Sequence, residues 1–322
     1  MPLTLKRMIQ NNPVSHAVDL VGEAWTMLIL REAFQGARRF DDWLGRLTIS
    51  RSVLARRLKA MCEAGLLEPR RYQTRPERFE YVLSAMGRDL YGVAVMLILW
   101  EQDWSPRADP ARAIKLVRRS DGADVIPVMA GEDPHAALRP DEVHPAPGPD
   151  PDFAPRLKAL RRRRVQPAQR GRDGRIELGV ELFGDYWTNL VLAACFYRIR
   201  RYDDFLANLD ISTSVLAERL ASLVEHGVLE RRRYQTRPER FEYVLTAMGR
   251  ALYPVVLAFL AWGSRWACGA QRTPVVLISN ATGKVVEPSL RDAVTGERLD
   301  PRAVRPAPLH SDAQRQRAGA RG

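Results

Sequence analysis

The sequence predicts a mainly α, α+β chain in which one unit is built twice in tandem: helices, a small β-hairpin, and a short β-rich extension. Three observations predict it. A long stretch recurs without a change, the residues before it carry helical apolar spacing, and the stretch itself alternates like two strands around a proline-containing turn.

The recurring stretch is RRYQTRPERFEYVL, at Arg70–Leu83 and again at Arg232–Leu245, an offset of 162. The offset holds back through Leu54/Leu216 and Phe40/Tyr202 to Trp25/Trp187 and Gly22/Gly184, and forward through Met86-Gly87-Arg88 and Met248-Gly249-Arg250. A weaker match continues at an offset of 161, pairing Val117 with Ile278, Gly122 with Gly283, and Val143–Pro147 with Val304–Pro308. The expected organisation is a helical unit at 10–105, an extension at 112–150, a basic linker at 151–175, a second helical unit at 176–268, a second extension at 273–310 and a disordered tail at 311–322.

Within one repeat, Val18, Val21, Trp25, Leu28 and Ile29 predict a helix over His16–Phe34, with Gly22 as a close approach or a kink. Phe40, Trp43, Leu44 and Leu47 share a face of a second, short helix, and Thr48-Ile49 is a tight connection. Ser50 is a good N-cap for a third helix running to Ala64, and Gly65 supplies its left-handed stop. Leu54, Leu58 and Met61 give that helix one buried face. Leu66–Tyr72 and Phe79–Leu83 pair as strands around Arg75, Pro76 and Arg78, and Ser84 caps a final helix. Leu90–Trp104 and Leu252–Trp266 are too apolar for one small domain to cover, so they are expected at a repeat–repeat or subunit interface, with a cavity beneath them for a possible small-molecule effector.

Composition narrows the partners. With 50 Lys+Arg against 38 Asp+Glu and a net charge of +12, a polyanion is favoured, and the basic residues are nearly all Arg, which forks onto phosphates and guanine edges. Cys62, Cys195 and Cys268 lie far apart, which argues against a disulfide framework or a thiolate metal site. The N-terminus has no apolar signal region, and the apolar run Val93–Trp100 is too short to cross a bilayer. A cytoplasmic protein without a membrane partner is expected. No phosphate-cradling loop, nucleophile elbow or metal-spaced histidine cluster points to an enzyme or a cofactor. Asp41-Asp42 and Asp203-Asp204 are adjacent carboxylates that point in different directions on a helix, so capping or ion pairing is their expected role.

Short helix, tight turn, helix with a small and basic outer face, then a hairpin with an arginine-rich tip is the order of a winged helix-turn-helix. Double-stranded DNA is therefore the expected partner. The reading helices would present Ser50, Arg51, Ser52, Ala55, Arg56 and Lys59 in the first repeat, and Ser212, Thr213, Ser214, Ala217 and Glu218 in the second. The wings would present Arg70, Arg71, Arg75 and Arg78, then Arg232, Arg233, Arg237 and Arg240, to the backbone or minor groove. Arg51, Arg56 and Lys59 become Thr213, Glu218 and Ala221, so the first repeat is expected to bind DNA more strongly. The alternative is a winged-helix scaffold for protein contacts, or an effector-binding module, with weak DNA binding.

The stretch AVDLVGEAWTMLILREAFQGARRFDDWLGRLTISRSVLARRLKAMCEAGLLEPRRY, with FEYVLSAMGRDL after it, resembles the HxlR-type regulators, winged-helix proteins related in fold to the MarR type. The second repeat resembles them through LFGDYWTNLVLAACFYRIRRYDDFLANLDISTSVLAERLASLVEHGVLERRRY. The resemblance implies a bacterial transcriptional regulator, typically a single-repeat homodimer on a palindromic operator. Three departures matter. The Cys-Pro pair that serves some members as a redox sensor reads Asn12-Pro13 here, with Glu177-Leu178 near the second position. The zinc-ribbon-like cysteines of some members have no counterpart in either extension, so no zinc is expected. Finally, two copies are fused, so intramolecular pairing of the repeats can stand in for the homodimer.

Overall fold

The computed structural model describes residues 5–153 and 177–309. Most of the expected basic linker and the expected tail lie outside them. The first repeat comprises α1 (Leu5–Gln10), α2 (Pro13–Val21), α3 (Ala24–Phe34), α4 (Phe40–Arg46), α5 (Arg51–Glu63), the hairpin β1 (Leu67–Thr74) and β2 (Glu77–Leu83), α6 (Ala85–Asp89) and α7 (Tyr91–Trp104). Its extension holds β3 (Ile114–Arg118), β4 (Asp124–Val125), β5 (Pro127–Ala130) and β6 (Val143–Pro147). The second repeat follows as α8 (Glu177–Phe183), α9 (Tyr186–Phe196), α10 (Tyr202–Leu209), α11 (Thr213–Glu225), β7 (Leu229–Thr236), β8 (Glu239–Leu245), α12 (Ala247–Arg250) and α13 (Tyr253–Trp262). Its extension holds β9 (Val275–Ser279), β10 (Val285–Val286), β11 (Ser289–Asp292) and β12 (Val304–Pro308).

The helix expected over His16–Phe34 is two helices. Glu23 adopts an extended backbone and its carboxylate accepts from the Thr26 N–H at 3.0 Å, restarting the chain as α3. At Gly22 a β-carbon would stand 2.8 Å from the Phe183 carbonyl oxygen, so the break is also where the second repeat's backbone passes. The final helix is likewise divided, with Ser84 capping the short α6 before α7 begins.

The extensions exchange strands between the repeats. Strand β6 joins β9 and β10, strand β12 joins β3 and β4, and β5 pairs with β11. In the last pair Met129 stands opposite Leu290, with Val128 opposite Arg291 and Ala130 opposite Ser289. Residues 129 and 290 are 161 apart, the offset of the extensions. An antiparallel pair in which a residue faces its own repeat copy has a pseudo-twofold axis between them. Each extension is thus stitched by backbone hydrogen bonds to the other repeat.

The helices obey the same symmetry and share one continuous apolar core. Helix α13 packs against α2 and α7. The segment Ala247–Arg272 is long and apolar enough to cross a membrane by length and composition, but half of its most apolar window is buried inside the fold. Where the repeats differ, the contact differs too. The buried Glu101 carboxylate accepts from the Leu178 and Gly179 N–H groups at 3.0 Å each, capping the start of α8. The matching residue is Gly263, where a β-carbon would lie 2.0 Å from the Pro13 carbonyl oxygen. Helix α1 crosses to the second repeat, with Lys6 Nζ 2.6 Å from Asp210 and the Gln10 amide donating to Asn208 O at 3.0 Å.

Candidate nucleic-acid interface

The reading helices are set by caps, a buried face and one ion pair each. Ser50 Oγ accepts from Val53 N, and Ser212 Oγ from Val215 N, both at 3.3 Å. Leu54, Leu58 and Met61 hold α5 against the core with no exposed surface; Leu216, Leu220 and Leu223 do the same for α11. That fixes which face is outward. Ser50, Arg51, Ser52, Ala55, Arg56 and Lys59 are all exposed, as are Ser212, Thr213, Ser214, Ala217 and Glu218.

Between the two faces sits Arg57, buried, with its guanidinium 2.9 Å from the buried carboxylate of Glu23. Glu23 is also the N-cap of α3, so one carboxylate fixes the start of α3 and the roll of α5 together. Burial is the largest influence on Glu23 and pushes its pKa up; the Arg57 charge and the Thr26 hydrogen bonds pull it back. The second repeat repeats the device: Asp185 caps α9 through Thr188 N at 2.9 Å and holds Arg219 Nε at 2.8 Å. Sequence reasoning assigned these four residues no role. The signal was present: an acidic residue three before a threonine, and an arginine within each reading helix, recur at the repeat offset.

The first helix of each motif is anchored similarly. The Asp42 carboxylate accepts from the Arg38 and Arg39 N–H groups at 2.9 and 2.8 Å, and these bonds hold its pKa down. Asp41 lies 3.6 Å from Arg51. Capping and ion pairing are therefore what this carboxylate pair does. Trp43 is fully buried and donates its indole N–H to Ile29 O at 3.1 Å.

The wings are the two hairpins, each with a register shift at Tyr72 or Tyr234. They are tied to the helices by Tyr81 N donating to Arg38 O at 2.7 Å and Tyr243 N to Arg200 O at 2.8 Å. Arg39 stacks over the Tyr72 ring and Arg201 over Tyr234, each at 4.7 Å. All eight candidate wing arginines are exposed. Those on the stem are engaged within the hairpin: Arg70 with Glu68, Arg71 with Glu77, Arg232 with Glu230 and Arg233 with Glu239. Arg75, Arg78, Arg237 and Arg240, at the tips, have no carboxylate partner among the described residues.

The two reading faces differ in charge. Arg56 is exposed with no carboxylate partner among the described residues, whereas Glu218 lies 2.9 Å from Arg219. Asn12 is a buried cap whose Oδ1 accepts from Ser15 N at 2.9 Å. Burial pushes the Cys195 and Cys268 thiols up to about 12 and raises Cys62, so all three are protonated at neutral pH. No group of three or more His, Cys, Asp or Glu suited to a metal occurs among the described residues.

The family model for the HxlR-like helix-turn-helix matches twice, over residues 20–109 and 182–271. The chain belongs to the HxlR-like helix-turn-helix family. An uncharacterized HTH-type transcriptional regulator of Mycobacterium tuberculosis is 38% identical over 145 residues, which are 45% of this chain and 91% of that one. Another, from Synechocystis, is 36% identical over 93 residues, 29% of this chain and 69% of that one. A candidate transcription factor solved from Pseudomonas aeruginosa is 31% identical, covering 44% of this chain and 98% of that chain at a TM-score of 0.30. As an HxlR-like protein the chain is a transcriptional regulator rather than an enzyme, carrying its helix-turn-helix region twice.

Proposed function

We propose that the protein regulates transcription by binding double-stranded DNA with α5 and α11 in successive major grooves and its two wings on the flanking backbone or minor groove. The observation that carries this reading is the exposed, small-residue and cationic outer face of α5 beside a wing whose tip arginines, Arg75 and Arg78, lack carboxylate partners among the described residues. Arg51, Ser52, Arg56 and Lys59 serve the base edges and nearest phosphates, and Ser50 brings its helix N-terminus to a phosphate. Arg70, Arg71, Arg232 and Arg233 act on the backbone by exchanging their hairpin partners for phosphate. Arg237 and Arg240 repeat the tip contact in the second repeat.

Repeat one supplies most of the cationic contacts. Ser212, Thr213, Ser214, Ala217 and Glu218 present a face with no net positive charge, and Glu218 beside Arg219 suits a cytosine amino group better than a phosphate. The operator is therefore two unlike half-sites. The helical units at 10–105 and 176–268, paired within one chain through the extensions at 112–150 and 273–310, take the place of two subunits. The protein works in the cytoplasm, where its DNA is. Titrating wild type, Arg56→Ala and Thr213→Ala against a selected duplex tests this: a larger loss for Arg56→Ala supports the unequal reading, and equal losses refute it.

A further inference from the structure

Beneath α7 of the first repeat lies a cavity of about 120 Å³, walled by α3, α7 and β3 and by Phe259 and Pro306 from the second repeat. Its lining is almost wholly apolar, with Met27, Leu30, Phe34 and Ile98 among the walls. The two cations on it are neutralised: Arg31 lies 2.7 Å from Glu32, and Lys115 lies 2.9 Å from Asp124. Tyr91 also lines it, and its hydroxyl has no hydrogen-bond partner among the described residues. Gln35, exposed, stands at the solvent side.

We infer that this cavity binds a neutral, single-ring-sized apolar molecule bearing one oxygen that accepts a hydrogen bond from the Tyr91 hydroxyl. Size decides the class: apolar cavities on the order of 150 Å³ take molecules such as benzene and stay dry when empty. Charge decides it further: both lining cations are paired, Arg119, whose charge reaches Tyr91, lies outside the lining and gives its Nε–H to Val304 O at 2.9 Å, and an anion would be buried among hydrocarbon at a cost. Burial pushes Tyr91 up to about 12, so its hydroxyl keeps the proton it donates throughout the neutral range. The site belongs to the first repeat. At the matching positions Val21, Gln35 and Ala94 become the larger Phe183, Tyr197 and Val256, while Met27 and Arg31 become the smaller Asn189 and Ala193, and the Phe183 ring lies 5.2 Å from Phe259.

The test uses the full chain with p-cresol and toluene, read by calorimetric titration and by the rise in thermal midpoint, and needs no DNA, so it stands or falls apart from the regulatory reading. Wild type binds both ligands saturably. Tyr91→Phe weakens p-cresol about 2- to 10-fold, the worth of one hydrogen bond, and leaves toluene unchanged. Ala94→Phe, which fills the cavity, abolishes both; should that variant fail to fold, Ala94→Leu replaces it and weakens both. The inference is overturned if neither ligand binds wild type saturably, if a folded filling variant binds as well as wild type, or if Tyr91→Phe treats the two ligands alike.

Discussion

Trp100 and Trp262, the same residue in the two repeats, each donate an indole N–H to the other repeat: Trp100 to Met248 O at 3.1 Å and Trp262 to Met86 O at 3.0 Å. Met86 and Met248 are themselves copies, 162 apart, so the two bonds are one contact seen twice across the pseudo-twofold axis. Both indoles are buried, at 4% and 1% exposure, so each donor left unpaired would carry a desolvation cost. The pair couples α7 to the start of α12 and α13 to the start of α6, the short helices that follow the wings.

Trp100→Phe and Trp262→Phe should each cost about 1–3 kcal/mol, because each removes a donor and leaves a carbonyl unpaired, that of the buried Met248 or of the half-buried Met86. Urea unfolding measures it. The two sites share one interface, so the double variant should depart from the sum of the singles. A sum with no departure would mean that the two contacts act independently of each other.

Arg57→Met should cost about 3–5 kcal/mol, since it leaves the Glu23 carboxylate buried without its cation. Adding Glu23→Gln should recover part of that. The counterpart in repeat two is less enclosed, with the Asp185 side chain 31% exposed, so Arg219→Met should cost clearly less. Denaturation midpoints of the three variants check the order, and Arg57→Met should also weaken DNA binding by freeing the roll of α5.

Acid should weaken the fold through His16. Its ring is buried, its Nε2 faces Asn11 Oδ1 at 2.7 Å, and the Phe153 ring meets it edge-on at 5.2 Å. Burial lowers its pKa from 6.5 to about 4. The unfolded chain therefore takes up a proton that the folded chain refuses between those values. The stabilising contribution is complete above 6.5 and is lost as pH falls towards 4, up to about 3 kcal/mol. Comparing wild type with His16→Gln at pH 7 and pH 4.5 isolates this from the carboxylates; equal acid sensitivity would refute it.

Much of this architecture was legible because it was written twice. The constant offset from Gly22/Gly184 onward located the units, and Ser50 and Gly65 bounded α5 by cap chemistry alone. The outward face of α5 followed from Leu54, Leu58 and Met61. What stayed hidden depends on the partner repeat. Gly22 marked a close approach or a kink, but not that the helix stops there or that the Phe183 backbone is what passes. The strands of the extensions are readable, but not that β6 and β12 leave their own repeat, because register between distant segments has no local signature. Arg57 was left without a role, because its pairing with Glu23 joins two segments that the sequence does not show to be in contact.

The most direct measurement is selection of duplexes from a pool of genomic fragments at moderate salt, followed by sequencing, with wild type and Arg56→Ala in parallel. An enriched site of two unlike halves is expected, with loss of information in only one half for Arg56→Ala. No enriched sequence, together with retention that disappears as salt rises, would contradict this and leave only unspecific phosphate contact.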